Sequence, residues 1–240
     1  MSQARLADIW VYLSASPLLH LTMTVAAYLV SDWIYRKSGN RSLLHPVLVS
    51  VMLLVAILAV TRTGYVQYFQ GAQFVHFFLG PATVALAIPL YHNVGKLKKR
   101  WLPISLGLLV GSVTAALSAV ALGWLFGASP QTLLALAPKS VTAPVAMGIA
   151  EKLGGLPSLT AVLVILTGIL GSMIGPPLLN LFGIRDWAAR GFAIGTASHG
   201  IGTARALQVN ELAGAFSGLA MGLNGLATAI LVPLIIALFL

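Results

Sequence analysis

The chain has 240 residues, 58% of them apolar and only 8% charged, with a mean hydropathy of +0.94; that balance excludes a soluble globular domain and leaves an integral membrane protein. The lack of cysteine excludes disulfides, thiolate metal sites and a cysteine nucleophile. The net charge of +9 falls in short gaps between apolar runs, as in cytoplasmic loops, so no nucleic-acid partner is expected.

Residues 9–31, 42–61, 63–95, 101–138, 153–184 and 212–240 contain no Asp, Glu, Lys or Arg. Each run can hold the roughly 20-residue helix that crosses a bilayer. Within them the pattern predicts eight segments of a polytopic, all-α membrane protein. The first two, 14–34 and 43–60, begin near Pro17 and Pro46, where a helix tolerates a missing N–H. Arg36, Lys37 and Arg41 between them mark a cytoplasmic turn beside Trp33 and Tyr35. The third, 73–91, carries Gly80-Pro81-Ala82-Thr83, which predicts two half-helices meeting at a break. The basic run Lys96-Leu97-Lys98-Lys99-Arg100 leads into the fourth, 102–126, where Gly107 and Gly111 have the spacing of close helix approach.

After the turn Gly127-Ala128-Ser129-Pro130, the fifth segment, 131–150, holds Pro138-Lys139-Ser140-Val141-Thr142-Ala143-Pro144 and is predicted to be broken as well. The sixth, 158–181, places Gly171 and Gly175 on one face. The seventh, 190–208, contains Gly195 to Arg205, and the eighth, 212–238, places Asn224 inside the span. The same order of elements recurs in 14–127 and 128–240, which predicts a duplication within one transmembrane domain, 1–240. Interrupted segments at matching positions of two repeats point to a transporter's substrate site. With eight crossings both termini lie outside the cytoplasm, but Arg185 and Arg190 then fall on the wrong side. Whether 73–91 and 190–208 cross or re-enter stays open at this point.

Lys139 follows 38 uncharged positions and precedes Glu151 by 12 residues, roughly 18 Å of helix, too far for easy snorkelling. A lysine at that depth costs about 2.5–3.5 kcal/mol on insertion scales and needs an anion or a wet cavity. Glu151 and Glu211 sit at segment ends, so the missing anion is expected to be a substrate; the competing expectation is a Lys139 near the surface or against a helix C-terminus. Ser198, His199, Gly200, Gly202, Thr203 and Arg205 form the second polar stretch, whose glycines let backbone N–H groups approach a carboxylate and whose arginine adds a fork for it. Arg205 could equally pair with Glu211, and His199 could be a hydrogen-bonded core imidazole. Ser140, Thr142, Thr83 and Asn224 complete the candidate set. His20, His45, His76 and His92 are read as structural or interfacial. No metal-ligand spacing and no hydrolase triad are present, so no enzyme activity is expected.

The stretches Pro138 to Met147 and Gly195 to Ala206, together with Gly71 to Phe74, Leu79 to Ala87 and Gly214 to Ala220, resemble the signature stretches of the LrgB/CidB family of bacterial membrane proteins. The resemblance covers essentially residues 16–240; Gly148 to Ala150 depart from it. It implies a multi-pass protein of the bacterial cytoplasmic membrane and two alternative activities. One is holin- or antiholin-like control of murein hydrolase activity and autolysis with a small LrgA/CidA-like partner. The other is transport of monocarboxylates such as pyruvate, lactate, glycolate or glycerate, as in a plastid relative that fuses LrgA-like and LrgB-like halves. The residues favour transport: a small organic anion bound near the midplane between the Lys139 and His199 segments, with proton coupling through His199 or Glu151, or sodium as the coupling ion, no bound cofactor, and the lipid bilayer and a homo-oligomer as further partners.

Overall fold

The computed structural model describes residues 16–39, 44–78, 81, 84–85 and 87–239, and these contain helices and turns but no strand. The chain packs as two compact units, Met1–Ala85 and Leu86–Leu240.

The first unit holds α1 (Pro17–Lys37), α2 (Pro46–Thr61) and α3 (Tyr65–Phe77), with α1 packed on both others. Pro17 and Pro46 occupy first-turn positions, as expected. Arg62 ends α2 in the left-handed region, at φ 53°, and α3 then starts well before residue 73, where the pattern places it. Gln67, Gln70 and Gln73 dilute its apolar signal. Gly71 lets α3 press on α1: a Cβ there would collide with the Pro17 carbonyl oxygen and come within 2.7 Å of His20 Cβ. Gly80, Ala82 and Thr83, which carry the break expected near 80–83, lie outside the described residues.

The second unit holds α4 (Ala87–His92), α5 (Val94–Lys99), α6 (Trp101–Leu125), α7 (Pro130–Leu136), α8 (Ala143–Lys152), α9 (Pro157–Leu181), α10 (Trp187–Val209) and α11 (Glu211–Phe239). Among the described residues, three helices, α6, α9 and α11, are long and apolar enough to cross a membrane. Their exposed faces carry large apolar side chains in rows four residues apart, Val162, Leu166 and Leu170 on α9 and Leu226, Ile230 and Leu234 on α11, while small residues such as Ala116, Ala119, Gly168, Ser172, Ala213 and Ala220 are buried inside. That is the inverse of a soluble protein's pattern and suits lipid as the outer solvent. The protein is an all-helical membrane protein.

Two stretches of this unit do not run straight through. Gly195 lies so close to α11 that a Cβ would strike the Ser217 carbonyl oxygen, yet Thr203 Oγ1 is also 2.9 Å from Ser217 Oγ. Eight residues of straight helix would separate Gly195 from Thr203 by about 12 Å. A Cβ on Gly202 would likewise lie 3.2 Å from the Ile194 carbonyl oxygen. The chain therefore doubles back inside α10, at His199, whose φ of 41° and ψ of −133° are not helical. Segment 130–152 doubles back too: Ala137 and Ile149 pack in one cluster with Ala116 of α6 and Val232 of α11. Neither stretch is a simple crossing, which corrects the expectation of eight.

Candidate functional site

Both reversals end at the middle of α11. Asn224, only 1% exposed, donates from Nδ2 to the Ser140 carbonyl at 3.1 Å and to the Thr196 carbonyl at 2.9 Å. Its Oδ1 accepts from Ser112 Oγ of α6 at 2.6 Å and from Thr228 Oγ1 at 3.3 Å. Two donors and two acceptor lone pairs are the full capacity of the amide. Asn224 thus ties the turn after α7, the first arm of α10, α6 and α11 into one knot, and its hydrogen-bonding groups face protein.

His199 is buried at the α10 tip. A non-glycine residue in the left-handed region costs about 1–3 kcal/mol and persists only where its surroundings over-determine it. Here Nε2 lies 2.9 Å from the Val164 carbonyl; a carbonyl only accepts, so Nε2 carries the proton. Thr203 Oγ1 donates to the His199 carbonyl at 2.8 Å, and Gly168 leaves room for the ring, since a Cβ there would sit 2.8 Å from Nε2. Ser198, beside it, is fully buried, and its Oγ has no hydrogen-bond partner among the described residues.

Beside these tips lies a cavity of about 870 Å³. Lys139, Ser140, Thr196 and Ser198 line it at the level of the knot, and Arg100 lines it at the end where α6 and α10 begin. Between them the wall is apolar, from Ile104, Ile174, Leu178, Phe192 and Phe216. Among the described residues no carboxylate lines it. Lys139 is half-buried and donates to Ser140 Oγ at 3.2 Å; the ion pairs among the described residues, Arg36–Asp32, His92–Glu211 and Arg100–Asp186, do not include it. A half-buried cation at the end of a largely apolar cavity can attract a small anion.

Glycines shape the wall. A Cβ on Gly107 would lie 3.3 Å from the Phe192 ring and one on Gly111 3.1 Å from the Thr196 methyl, and the space at Gly171 is filled by the Ser198 hydroxyl. Gly171→Ala is expected to push the α10 tip away and lower stability by about 1–3 kcal/mol. Adding Ser198→Ala, which removes the clashing oxygen, should restore most of the melting temperature; equal melting temperatures for Gly171→Ala and the unmodified chain would contradict this packing.

At the wide end, Arg100 Nη1 donates to both Asp186 carboxylate oxygens at 2.9 and 3.1 Å. Asp186 Oδ1 also caps α10 by accepting from Ala189 N at 2.8 Å. The Arg100 guanidinium first, and the Ala189 N–H next, hold the Asp186 carboxyl below its usual 3.8. A depressed carboxylate contributes stability that is present above its unfolded value and fades as pH falls through the folded one. Thermal melts are therefore expected to show no contribution from this pair between pH 5 and pH 8 beyond a constant one, with the loss confined to pH below about 4. Asp186→Asn, which can still cap, should cost less than about 1 kcal/mol at neutral pH because both partners are half exposed.

Of the residues the sequence singles out, Lys139, Ser140 and Ser198 line the large cavity. Thr142 starts α8 as its N-cap, while His199, Gly200, Gly202 and Thr203 build the α10 reversal. Arg205 lines a second, smaller cavity, and Thr83 lies outside the described residues. Arg100, Thr196 and Ser112 are additions. Arg100 hides in a basic run that reads as surface, and Ser112 has the signal that Asn224 has, a polar side chain in mid-span.

No solved structure matches this chain. It is 39% identical to the protein YxaC of Bacillus subtilis over 91% of this chain and 95% of that one. It is 36% identical to the holin-like protein CidB of Staphylococcus epidermidis over 95% and 98%, and 29% identical to the antiholin-like protein LrgB of Bacillus cereus over 91% and 95%. The profile of the LrgB-like family matches residues 24–238; with nearly the whole chain covered, the protein belongs to the LrgB-like family.

Proposed function

We propose that this chain controls passage of small solutes across the bacterial cytoplasmic membrane as a holin/antiholin-like component, and that the solute it accepts is a small monocarboxylate. The first part is supported by the names of its relatives, holin-like CidB and antiholin-like LrgB, at 36% and 29% identity over most of the chain. Those names favour the reading in which it works with an LrgA/CidA-like membrane protein and its effect is felt in murein hydrolase activity and autolysis. The second part rests on one observation: the Lys139 ammonium ends a cavity whose lining has no carboxylate.

The geometry of the second unit fits alternating access. The Arg100–Asp186 and His92–Glu211 pairs gather the starts of α6, α10 and α11 at one end, with Lys96, Lys98, Lys99, Arg185 and Arg190 nearby in sequence. The positive-inside rule assigns this end to the cytoplasm. A span followed by a re-entering tip then occurs twice in opposite directions, α6 with 130–152 and α9 with α10, and the tips meet at mid-depth, the arrangement in which many carriers hold substrate. The cavity reaches Arg100, so the conformation is open inward. The anion sits on Lys139 with the neighbouring Ser140 hydroxyl orienting it, and no bond is made or broken in it.

The test is uptake of labelled pyruvate, lactate and glycolate into proteoliposomes containing the chain alone and with an LrgA/CidA-like partner. Saturable uptake of one of these acids supports the carrier. Unsaturable leakage of unrelated solutes leaves the holin-like part standing and removes the monocarboxylate. Inactivity under both conditions, with autolysis altered in cells, leaves the regulator alone.

A further inference from the structure

A second cavity, of about 180 Å³, lies at the open base of the α10 hairpin, where its two arms part. Arg190 on the first arm and Arg205 on the second both line it, with Ser172 of α9 between them and Trp187 at the edge. No carboxylate lines it. Arg190 is held in place rather than dangling: Nη1 donates to Asn180 Oδ1 and to the Ile184 carbonyl, each at 2.8 Å, and its guanidinium lies 5.4 Å from the Trp187 ring. Nη2 also reaches the Pro176 carbonyl at 3.5 Å; three bonds leave two of the five N–H donors of the fork without a protein acceptor among the described residues. Ser172 is part of the wall only, since its hydroxyl donates to the Ile169 carbonyl at 2.8 Å. Two guanidiniums beside an indole suit a phosphate group, whose five heavy atoms take the room of two to three waters at about 30 Å³ each and fit within this space.

The base of the hairpin is also the end of the unit where the basic residues gather, the membrane–water boundary on the orientation inferred above. Tryptophan beside arginine is the side-chain pair of that boundary, and basic clefts between helices on the cytoplasmic side take up lipid headgroups. We propose that this cavity is a phosphate site that clamps the two arms of α10 together across Arg190 and Arg205. The ligand is an anionic phospholipid headgroup or, from solution, a free phosphate. The site is separate from the Lys139 cavity, so its occupancy sets the rigidity of the hairpin and not the identity of the solute. It depends on the membrane placement of the chain but not on its carrying a monocarboxylate.

The experiment measures melting temperatures of the full chain in phosphatidylcholine nanodiscs with and without phosphatidylglycerol, and in detergent with inorganic phosphate. Arg205→Gln, Arg190→Gln and, as a control, Arg62→Gln in the other unit are compared. Arg205→Gln leaves the Arg190 bonds intact and keeps the test alive if Arg190→Gln fails to fold. Phosphatidylglycerol is expected to raise the melting temperature of the unmodified chain and of Arg62→Gln, with apparent lipid affinity falling roughly fivefold for each cavity arginine removed. A shift with inorganic phosphate that Arg205→Gln abolishes, without a phosphatidylglycerol shift, assigns the site to the free ion and upholds the phosphate chemistry. Shifts equal in all variants, or absent throughout, overturn the proposal.

Discussion

Lys139→Met is expected to abolish saturable monocarboxylate uptake without lowering the melting temperature. The two halves of that outcome have opposite physical origins. A carboxylate seated on the ammonium in a cavity with apolar walls makes a charge-assisted contact of about 2 kcal/mol, so its loss weakens apparent affinity about thirtyfold and carries half-saturation beyond the concentrations at which uptake saturates in the unmodified chain. In the unliganded chain the ammonium has only the Ser140 hydroxyl as a described partner, and burying a lysine there carries a penalty of about 2.5–3.5 kcal/mol on insertion scales. Methionine removes that penalty while keeping the length of the side chain, so stability rises or stays level. Lys139→Arg should retain part of the uptake, because the charge persists with a different reach. A fall in melting temperature for Lys139→Met would mean that the ammonium has a permanent anionic neighbour, and the carrier reading would fail with it. Unchanged uptake would fail it too.

Much of this arrangement is written in the chain and some of it is not. The three through-going helices were legible because a charged residue or a Gly/Pro turn bounds each long apolar run: α6 between Arg100 and the 127–130 turn, α9 between Lys152 and Arg185, and α11 after Glu211. The depth of Lys139 follows from the same bracketing. The reversal at His199 does not, since a run of small residues has the same composition whether it crosses a membrane or turns back within it. The glycines at 200 and 202 point to the right neighbourhood, but the positive φ falls on the histidine, fixed by Val164 and Gly168 from a helix some thirty residues away. That reversal also explains the arginines. Arg185 and Arg190 come to the same end as Arg100, which removes their misplacement in an eight-crossing scheme. Arg205 returns to the hairpin base rather than staying beside Ser198 and His199 at the tip.

Asn224→Ala should be the most destabilising single substitution in the second unit and should impair uptake through position rather than contact. The amide makes four hydrogen bonds to four segments. Hydrogen bonds between membrane helices average about 0.6 kcal/mol, well under their counterparts in a dry apolar reference, because the unfolded chain in lipid finds partners too. Three of the four run to other segments and make about 1.8 kcal/mol, the Thr228 bond lying within α11; alanine also strands the Ser140 and Thr196 carbonyls at 1% exposure of the central side chain, so the loss should reach about 3 kcal/mol or more. Asn224→Asp keeps the acceptor for Ser112 and Thr228 but presents carboxylate oxygens to two carbonyls, so it should be no milder than alanine unless it is protonated. Ser112→Ala and Thr228→Val each remove one acceptor-side bond and should cost about 0.6 kcal/mol singly. Combined with Asn224→Ala, neither should add its full amount, since the partner is already gone. Strict additivity in this cycle would mean that the two tips are held by something other than the Asn224 amide. The uptake assay carries the functional half: with the tips loosened but Lys139 intact, half-saturation should rise while residual saturability survives, unlike the outright loss in Lys139→Met.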